Sequence, residues 1–508
     1  MSDILAKRIM KEKNKYLFLL LFIMVFALSI RLYHLDGRVF HHDESVHGFF
    51  TLKLLNEGIY HYDPTYHGPF LFHSTAAVFS LLGISDTTAR LLPALFGAGT
   101  LLLIYILSKE LKPLGALFSA ALLAFSPSMV YYSRFFRNDM FIVFFTIAIV
   151  VGVLRYRDNI TSWKRIPYLL LASASLAFSM TAKENAYIIF AMFLGYLGLL
   201  LLYKVAVVQK SSLIQQAARR VIDNEKKNMI RLMFDIILAL VVFVSIFMLM
   251  YTSFFHNQES MFSVVESAFS HWSEMHRIER IGGPWYYYLP ILGLYESTIL
   301  IFGLAGALHY IRKKNTFLIF TAYWAAVSLL TYSYLQEKVP WLVVHIVLPF
   351  GILAGTYVSE ILPTLKFKPK HIEALVVGIL VLSVSFSAYQ SISLNFYKNT
   401  DPEELMIYTQ ASPDIYMVLD KIEELDGGRN RLKILVADPD NLYWPLPWYL
   451  RDYKNRSYSG TVPSHSSSDV VIVPKSKSKD LADSLGKRYE SLQFTLRPGR
   501  EFMMFYKI

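Results

Sequence analysis

Long apolar runs recur through this chain, each approaching the roughly 20 residues a helix needs to cross a bilayer. About eleven can be counted, from residues 16–30 to residues 374–394. The pattern predicts an all-α polytopic membrane protein of about 11 transmembrane helices. Composition agrees, with 54% hydrophobic and 15% aromatic residues among 508. The net charge of +11 does not point to nucleic acid. Lys and Arg gather in the cytoplasmic loops of membrane proteins and fix their orientation. No cysteine is present, which excludes disulfides, thiolate catalysis and Cys-ligated metals. The first apolar run is not followed by a small-residue cleavage site and reads as a retained helix.

Loop charge sets the sidedness. Lys7, Arg8, Lys11, Lys13 and Lys15 precede the first span, which places the N-terminus in the cytoplasm. Lys109 and Lys112, Arg155 to Arg165, Lys204 to Arg231, Arg312 to Lys314 and Lys366 to Lys370 then fall on that same side. The expected location is the cell membrane, multi-pass, with the C-terminus outside. Residues 1–394 are expected to form the multi-span region, with a large first outer loop at 34–88. Residues 395–508 read as a small extracytoplasmic α/β domain. Helical periodicity at 413–425 and 479–489 alternates there with β-branched runs at 432–437 and 470–473 and a last strand at 502–508. Asn455-Arg456-Ser457 is a glycosylation sequon on the outer side.

Drawn from loop charge alone, this topology gathers the ionisable clusters at the outer face. They are Asp43-Glu44, Arg134/Arg137/Asp139, Lys183-Glu184 and Glu337-Lys338. A carboxylate held near a hydroxyl takes its proton as general base. Arg and Lys hold a phosphate or a phosphate leaving group. The set suits transfer of a group from a phosphate ester to a hydroxyl. Nucleotide sugars stay in the cytoplasm, so an outward site needs a donor delivered through the bilayer, such as a lipid-linked phosphate sugar. Each cluster also has a plainer reading. Asp43 and Glu44 suit the first turn of a helix, Arg134 and Arg137 suit snorkelling to headgroups, and Lys183 and Glu184 can neutralise each other. Lys338, Trp341 and His345 share one helical face at i, i+3, i+7, with Trp341 expected as an interfacial anchor. The first outer loop is rich in imidazole, from His41, His42 and His47 to His61, His67 and His73. With Asp43 these offer ligands for a divalent metal, His42 and His47 first among them, although no zinc spacing is present. The run Trp285-Tyr286-Tyr287-Tyr288 fits either a sugar-stacking surface or an interfacial belt.

Asp43-Glu44, Ser133-Arg134 with Asp139 downstream, Lys183-Glu184 and Glu337-Lys338-Val339-Pro340-Trp341 come in an order that resembles the glycosyltransferase-C superfamily. Within it the chain looks most like the dolichyl-phosphate-mannose–protein mannosyltransferases and their prokaryotic relatives. His67-Gly68-Pro69, the Lys338 to Trp341 stretch and Trp444-Pro445-Leu446-Pro447-Trp448-Tyr449 resemble an archaeal and bacterial branch of flippase-activity-associated proteins. The resemblance implies an inverting transferase that uses a polyprenyl-phosphate monosaccharide. It assigns Asp43 as catalytic base and Lys183 and Lys338 to the donor phosphate, and Arg134 and Asp139 match the family's Arg and Asp. Beside these, Glu44 is expected next to the base and Arg134 and Arg137 at the same phosphate. Asp139, Glu184, His67 and His345 are supporting residues. The eukaryotic members carry a β-trefoil domain between spans, whereas the soluble part here is C-terminal and α/β. A protein Ser/Thr acceptor is therefore not implied, and glycan, lipid and protein acceptors stay open. The alternative is a lipid-linked-sugar flippase or a non-catalytic accessory protein. A translocation path would place charges near the bilayer midplane. The clusters lie instead at one face, with no matching acid–base set expected at the cytoplasmic face.

Overall fold

A computed structural model describes residues 2–208, 225–257, 266–267, 270, 274, 283–335, 338–365 and 369–508. The helices are α1 (Ser2–Leu32), α2 (His42–Glu57), α3 (Phe70–Leu82), α4 (Asp86–Ile106), α5 (Ser108–Leu111), α6 (Pro113–Phe125), α7 (Pro127–Ser133), α8 (Asp139–Asp158), α9 (Arg165–Ala182) and α10 (Asn185–Val208). They continue as α11 (Glu225–Tyr251), α12 (Tyr288–Tyr295), α13 (Ser297–Lys313), α14 (Thr316–Tyr334), α15 (Val343–Leu365), α16 (Lys370–Ile392), α17 (Asp414–Asp426), α18 (Leu446–Tyr449) and α19 (Lys479–Leu485). Among the described residues, eight helices are long and apolar enough to span a bilayer, or ten if each of two bent pairs is one span. Helix α9, which the sequence also counts among its about eleven spans, lies outside this set because Arg165, Ser173, Ser175 and Ser179 dilute its apolar content. It nonetheless packs along α8 and α11.

Two apolar helix pairs are bent sharply at a short break. Between α6 and α7 the chain bends by 64°, and between α12 and α13 by 106°. A break frees backbone groups, and no water in hydrocarbon can take them. Glu296, at the second break, accepts from Ser128 N at 2.9 Å and from Ser126 Oγ at 2.7 Å, so it caps the start of α7 at the first break. Arg31, fully buried, donates to the carbonyls of Leu123 and Ala124 and caps the end of α6. Helix α15 runs through the centre of the bundle, almost wholly buried. Small residues let it sit there. A Cβ at Gly355 would stand 2.1 Å from Ser119 N, and one at Gly306 would stand 2.8 Å from Leu353 O.

The C-terminal strands β1 (Ile434–Ala437), β2 (Arg456–Ser459), β3 (Val470–Pro474), β4 (Tyr489–Arg497) and β5 (Arg500–Lys507) form one sheet in the order β2-β1-β3-β5-β4. β1 is parallel to β2 and β3, and β5 is antiparallel to β3 and β4. Central β3 is buried along its length, as strands covered on both faces are. Ile415, Val418 and Ile422 of α17 cover one face, and Leu481 and Leu485 of α19 the other. Strands β2 and β4 were not expected from sequence. The sequon residue Asn455 is exposed just before β2.

This sheet unit is bound tightly to the bundle through α18. Trp448 is fully buried, stacks on Phe40 at 4.8 Å and donates through Nε1 to Asp86 Oδ1 at 2.8 Å. Tyr449 Oη donates to Asp86 Oδ2 at 2.9 Å and accepts from Phe40 N at 2.8 Å. At the bundle end distal to Asp139 and Lys183, acid–base pairs are present after all. Arg165 meets Asp235 at 2.7 Å, Arg155 meets Glu110 at 2.7 Å, and Glu360 meets Lys313 at 2.8 Å and Lys112 at 3.1 Å. They are mutually neutralised pairs, which corrects the expectation that no such set exists there. Trp448→Ala would remove the plug between sheet unit and bundle and cost about 3–5 kcal/mol, as aromatic-to-alanine changes in cores do. The thermal midpoint in detergent should fall, and limited proteolysis should release the C-terminal unit first.

Candidate active site at one end of the bundle

Helix α2 begins with a capping arrangement that fixes two neighbouring carboxylates in opposite settings. His41 Nδ1 accepts from Asp43 N at 3.0 Å, and Glu44 Oε2 accepts from His41 N at 2.9 Å. Acidic groups suit this positive end of a helix. Glu44 then turns inward with no exposed surface. Arg90 grips it through two bonds of 2.7 Å, Arg38 stands at 3.3 Å, and Phe136 N donates at 2.8 Å. Burial alone would push this carboxyl up, but Arg90 and Arg38 outweigh it and hold it at about 2. Glu44 is thereby taken up by the fold and is not available for proton transfer, which corrects its expected place beside the base.

Asp43 is the carboxylate left at the surface of the site, with its side chain 28% exposed. It is ion-paired with Arg137 Nη1. The Arg137 guanidinium lies over the ring of Trp341 at 3.8 Å and has its Nε 3.5 Å from Asp139 Oδ2. Asp139, buried at the start of α8, accepts from Lys183 Nζ at 3.0 Å and stands 3.6 Å from His345 Nε2. A continuous chain of charges thus runs Asp43–Arg137–Asp139–Lys183, with His345 beside it. It joins α2, the α7–α8 turn, the α9–α10 junction and α15.

Lys338 lies in the segment leading into α15. It is 5% exposed and has no hydrogen-bond or ion-pair partner among the described residues. Its expected neighbour Glu337 lies outside the described residues. The expected shared helical face of Lys338, Trp341 and His345 is not formed, because Pro340 starts a 3-10 turn and α15 begins only at Val343. Trp341 is buried against Arg137 rather than anchored in the interface.

Arg134 is also corrected. Its guanidinium donates to the carbonyls of Ile30, Arg31, Tyr33 and His34 and stacks on Phe396 at 4.7 Å. It caps the end of α1 and has no bond to the Asp43 chain of charges among the described residues. The expected metal pair is not assembled either. His42 Nδ1 is 3.1 Å from Arg497 Nη1, while His47 Nδ1 is 3.0 Å from Phe136 O. Among the described residues no three His, Cys, Asp or Glu side chains converge on a metal position. The aromatic run splits, with Trp285 exposed and Tyr288 buried and donating to Val339 O at 3.0 Å.

His67 and Glu184 meet at 2.9 Å, and Tyr62 Oη donates to Glu184 at 3.1 Å. Burial would raise the Glu184 carboxyl, but His67 and Tyr62 keep it below the usual value. Sequence reasoning missed Arg90, Arg38 and Arg497. Arg90 left a readable trace, since an arginine inside an apolar run is costly and needs a partner. Arg38 meets Glu44 from only six residues away, but its direction is set by packing, and Arg497 reaches His42 from 455 positions away.

Burial lowers the imidazole of His42 to about 3, with Arg497 adding to the effect, and that of His47 to about 4. His41 is pushed well below 6.5 for the same reason. All three bind protons more readily when unfolded, so stability rises with pH across this window. It is fully present above about 6.5 and lost progressively as pH falls through about 4 and 3. The thermal midpoint in detergent should drop between pH 6.5 and 4.5, and His42→Gln should make that slope shallower.

Residues 38–261 match the family model of the dolichyl-phosphate-mannose-protein mannosyltransferases. A comparison with curated proteins gave no match. Among solved structures, ArnT from Cupriavidus metallidurans bound to undecaprenyl phosphate superposes with a TM-score of 0.60 at 15% identity, over 95% of this chain and 97% of that one. The Archaeoglobus fulgidus oligosaccharyltransferase AglB, in complex with an inhibitory peptide and a dolichol-phosphate, gives 0.56 at 12% identity, over 91% of this chain and 70% of that one. At these identities the likeness shows the fold, which is that of the glycosyltransferase-C membrane proteins.

Proposed function

We propose that this chain, a membrane glycosyltransferase related through residues 38–261 to the dolichyl-phosphate-mannose-protein mannosyltransferases, moves a sugar from a polyprenyl-phosphate monosaccharide to an acceptor hydroxyl with inversion. The observation that carries this reading is the chain of charges that ends in one accessible carboxylate, Asp43. The donor class is supported by the undecaprenyl phosphate on ArnT and the dolichol-phosphate on AglB.

In this reading Asp43 takes the proton of the acceptor hydroxyl as its oxygen attacks the anomeric carbon. The bond from that carbon to the phosphate oxygen breaks, and the electron pair leaves with the lipid phosphate. Arg137, Lys183 and Lys338 offset the charge that develops there. Arg137 and Lys183 are already balanced by Asp43 and Asp139, which leaves Lys338 as the cation best placed to meet a phosphate dianion. His345 and Asp139 position Lys183, and Trp341 holds the Arg137 guanidinium flat.

The same reading orients the molecule. The basic loops face the cytoplasm, the N-terminus lies inside, and the Asp43 end opens outward, where lipid-linked donors are used. Residues 1–394 carry the multi-span unit and residues 395–508 the outer domain, which closes over the acceptor side of Asp43. A flippase reading gains little from the geometry, because the chain of charges from Asp43 to Lys183 sits at helix ends and does not run along a path through the bundle.

Asp43→Asn keeps the size of the side chain and removes its basicity. Transfer from a purified polyprenyl-phosphate sugar should fall about 10²- to 10⁴-fold, the usual contribution of a general base. Thermal stability should stay near wild type. Unchanged transfer in that variant would remove Asp43 from the mechanism.

A further inference from the structure

We propose that His67, Glu184 and Tyr62 form the subsite that holds the glycosyl group of the donor; this rests on the lipid-phosphate donor reading above. Three observations carry it. The first is chemistry. Glu184 Oε2 faces His67 Nδ1 at 2.9 Å, and Glu184 Oε1 accepts from Tyr62 Oη at 3.1 Å. With Nδ1–H given to Glu184, the imidazole presents Nε2 as an acceptor. His67 is 18% exposed and its Nε2 has no partner among the described residues. A carboxylate, an imidazole and a phenol suit neutral hydroxyl groups, whereas the Glu184 carboxylate repels a phosphate. This is the opposite preference to the cations alongside.

The second observation is placement. Glu184 follows Lys183 directly, and Lys183 Nζ sits on Asp139 in the chain of charges that ends at Asp43. One peptide unit therefore joins a cation suited to phosphate and a carboxylate suited to sugar, turned to different sides. A glycosyl phosphate has that same division along its length.

The third is the way the loop is held. His67 has φ +69° without being glycine, a conformation L residues adopt at a cost and that clusters at functional sites. Gly68 N donates to Ala182 O at 3.2 Å, and a Cβ at Gly68 would stand 2.1 Å from Thr181 O. Tyr60 Oη donates to His67 O at 2.7 Å. The loop is clamped to the end of α9 only because residue 68 has no side chain, and this clamp aims the imidazole at Glu184.

The test titrates the purified full chain in detergent with dolichyl phosphate and with dolichyl-phosphate mannose and glucose. Wild type should bind at least one sugar-bearing lipid more tightly than the bare phosphate. His67→Ala should lose about tenfold or more in affinity for that lipid, as loss of a hydrogen bond to a charged pair does. Its affinity for bare dolichyl phosphate should stay within about twofold. Lys338→Ala should weaken both. His67→Gln, which can still reach Glu184, serves as a second variant, and bare-lipid binding reports that each His67 variant is folded. Equal losses on both lipids would make the dyad a structural clamp and overturn the proposal, as would no loss or a wild type without sugar preference, in each case leaving the donor reading intact. A wild type that binds neither kind of lipid would overturn the donor reading, and this inference with it.

Discussion

The site depends on a buried ion cluster that takes no part in the chemistry. Glu44 has no exposed surface and is met by Arg90 on two sides and by Arg38 on a third. In a medium of low dielectric, breaking such a pair leaves an uncompensated charge, which costs far more than a surface ion pair is worth. Because its partners come from α4 and from the α1–α2 connection, Glu44 pins the start of α2 against the bundle. Phe136 N donates to the same carboxylate at 2.8 Å and brings in the turn before α8. That single anchor sets both Asp43, one residue back, and Arg137, one residue past Phe136. Their meeting follows from it.

The relay of charges from Asp43 to Lys183 then extends what the anchor begins. Alternating signs let several ionised groups lie side by side at the end of an apolar bundle, since each desolvated charge has an opposite neighbour. The consequence for function is selectivity of availability. Glu44 and Asp139 are buried and committed, while Asp43 keeps part of its surface open. One carboxylate among three neighbours is thereby left partly accessible.

The C-terminal sheet unit is part of this end of the molecule. Trp448 and Tyr449 reach Asp86 at the start of α4, Arg497 reaches His42, and Tyr408 O lies against His41. The two residues before Asp43 thus have partners more than three hundred positions away. A unit held this way shapes the mouth of the site.

Much was legible in the sequence because two of its signals are local. Apolar runs long enough to cross a bilayer define helices wherever they fall, and loop charge marks which ends lie together. That was enough to bring Asp43, Arg137, Asp139, Lys183 and His345 to one end of the bundle. The alternating helix and strand patterns likewise marked the C-terminal α/β unit, although the less apolar β2 and β4 escaped. What only the tertiary structure decided is the role of each charge. Glu44 and Asp43 are adjacent acids with nearly the same chemistry, and Arg134 and Arg137 are equally alike. Which of each pair faces the site and which is consumed as a cap depends on the direction of a side chain relative to distant carbonyls, guanidiniums and rings. That direction is set by packing between elements, and no local pattern of residues encodes it.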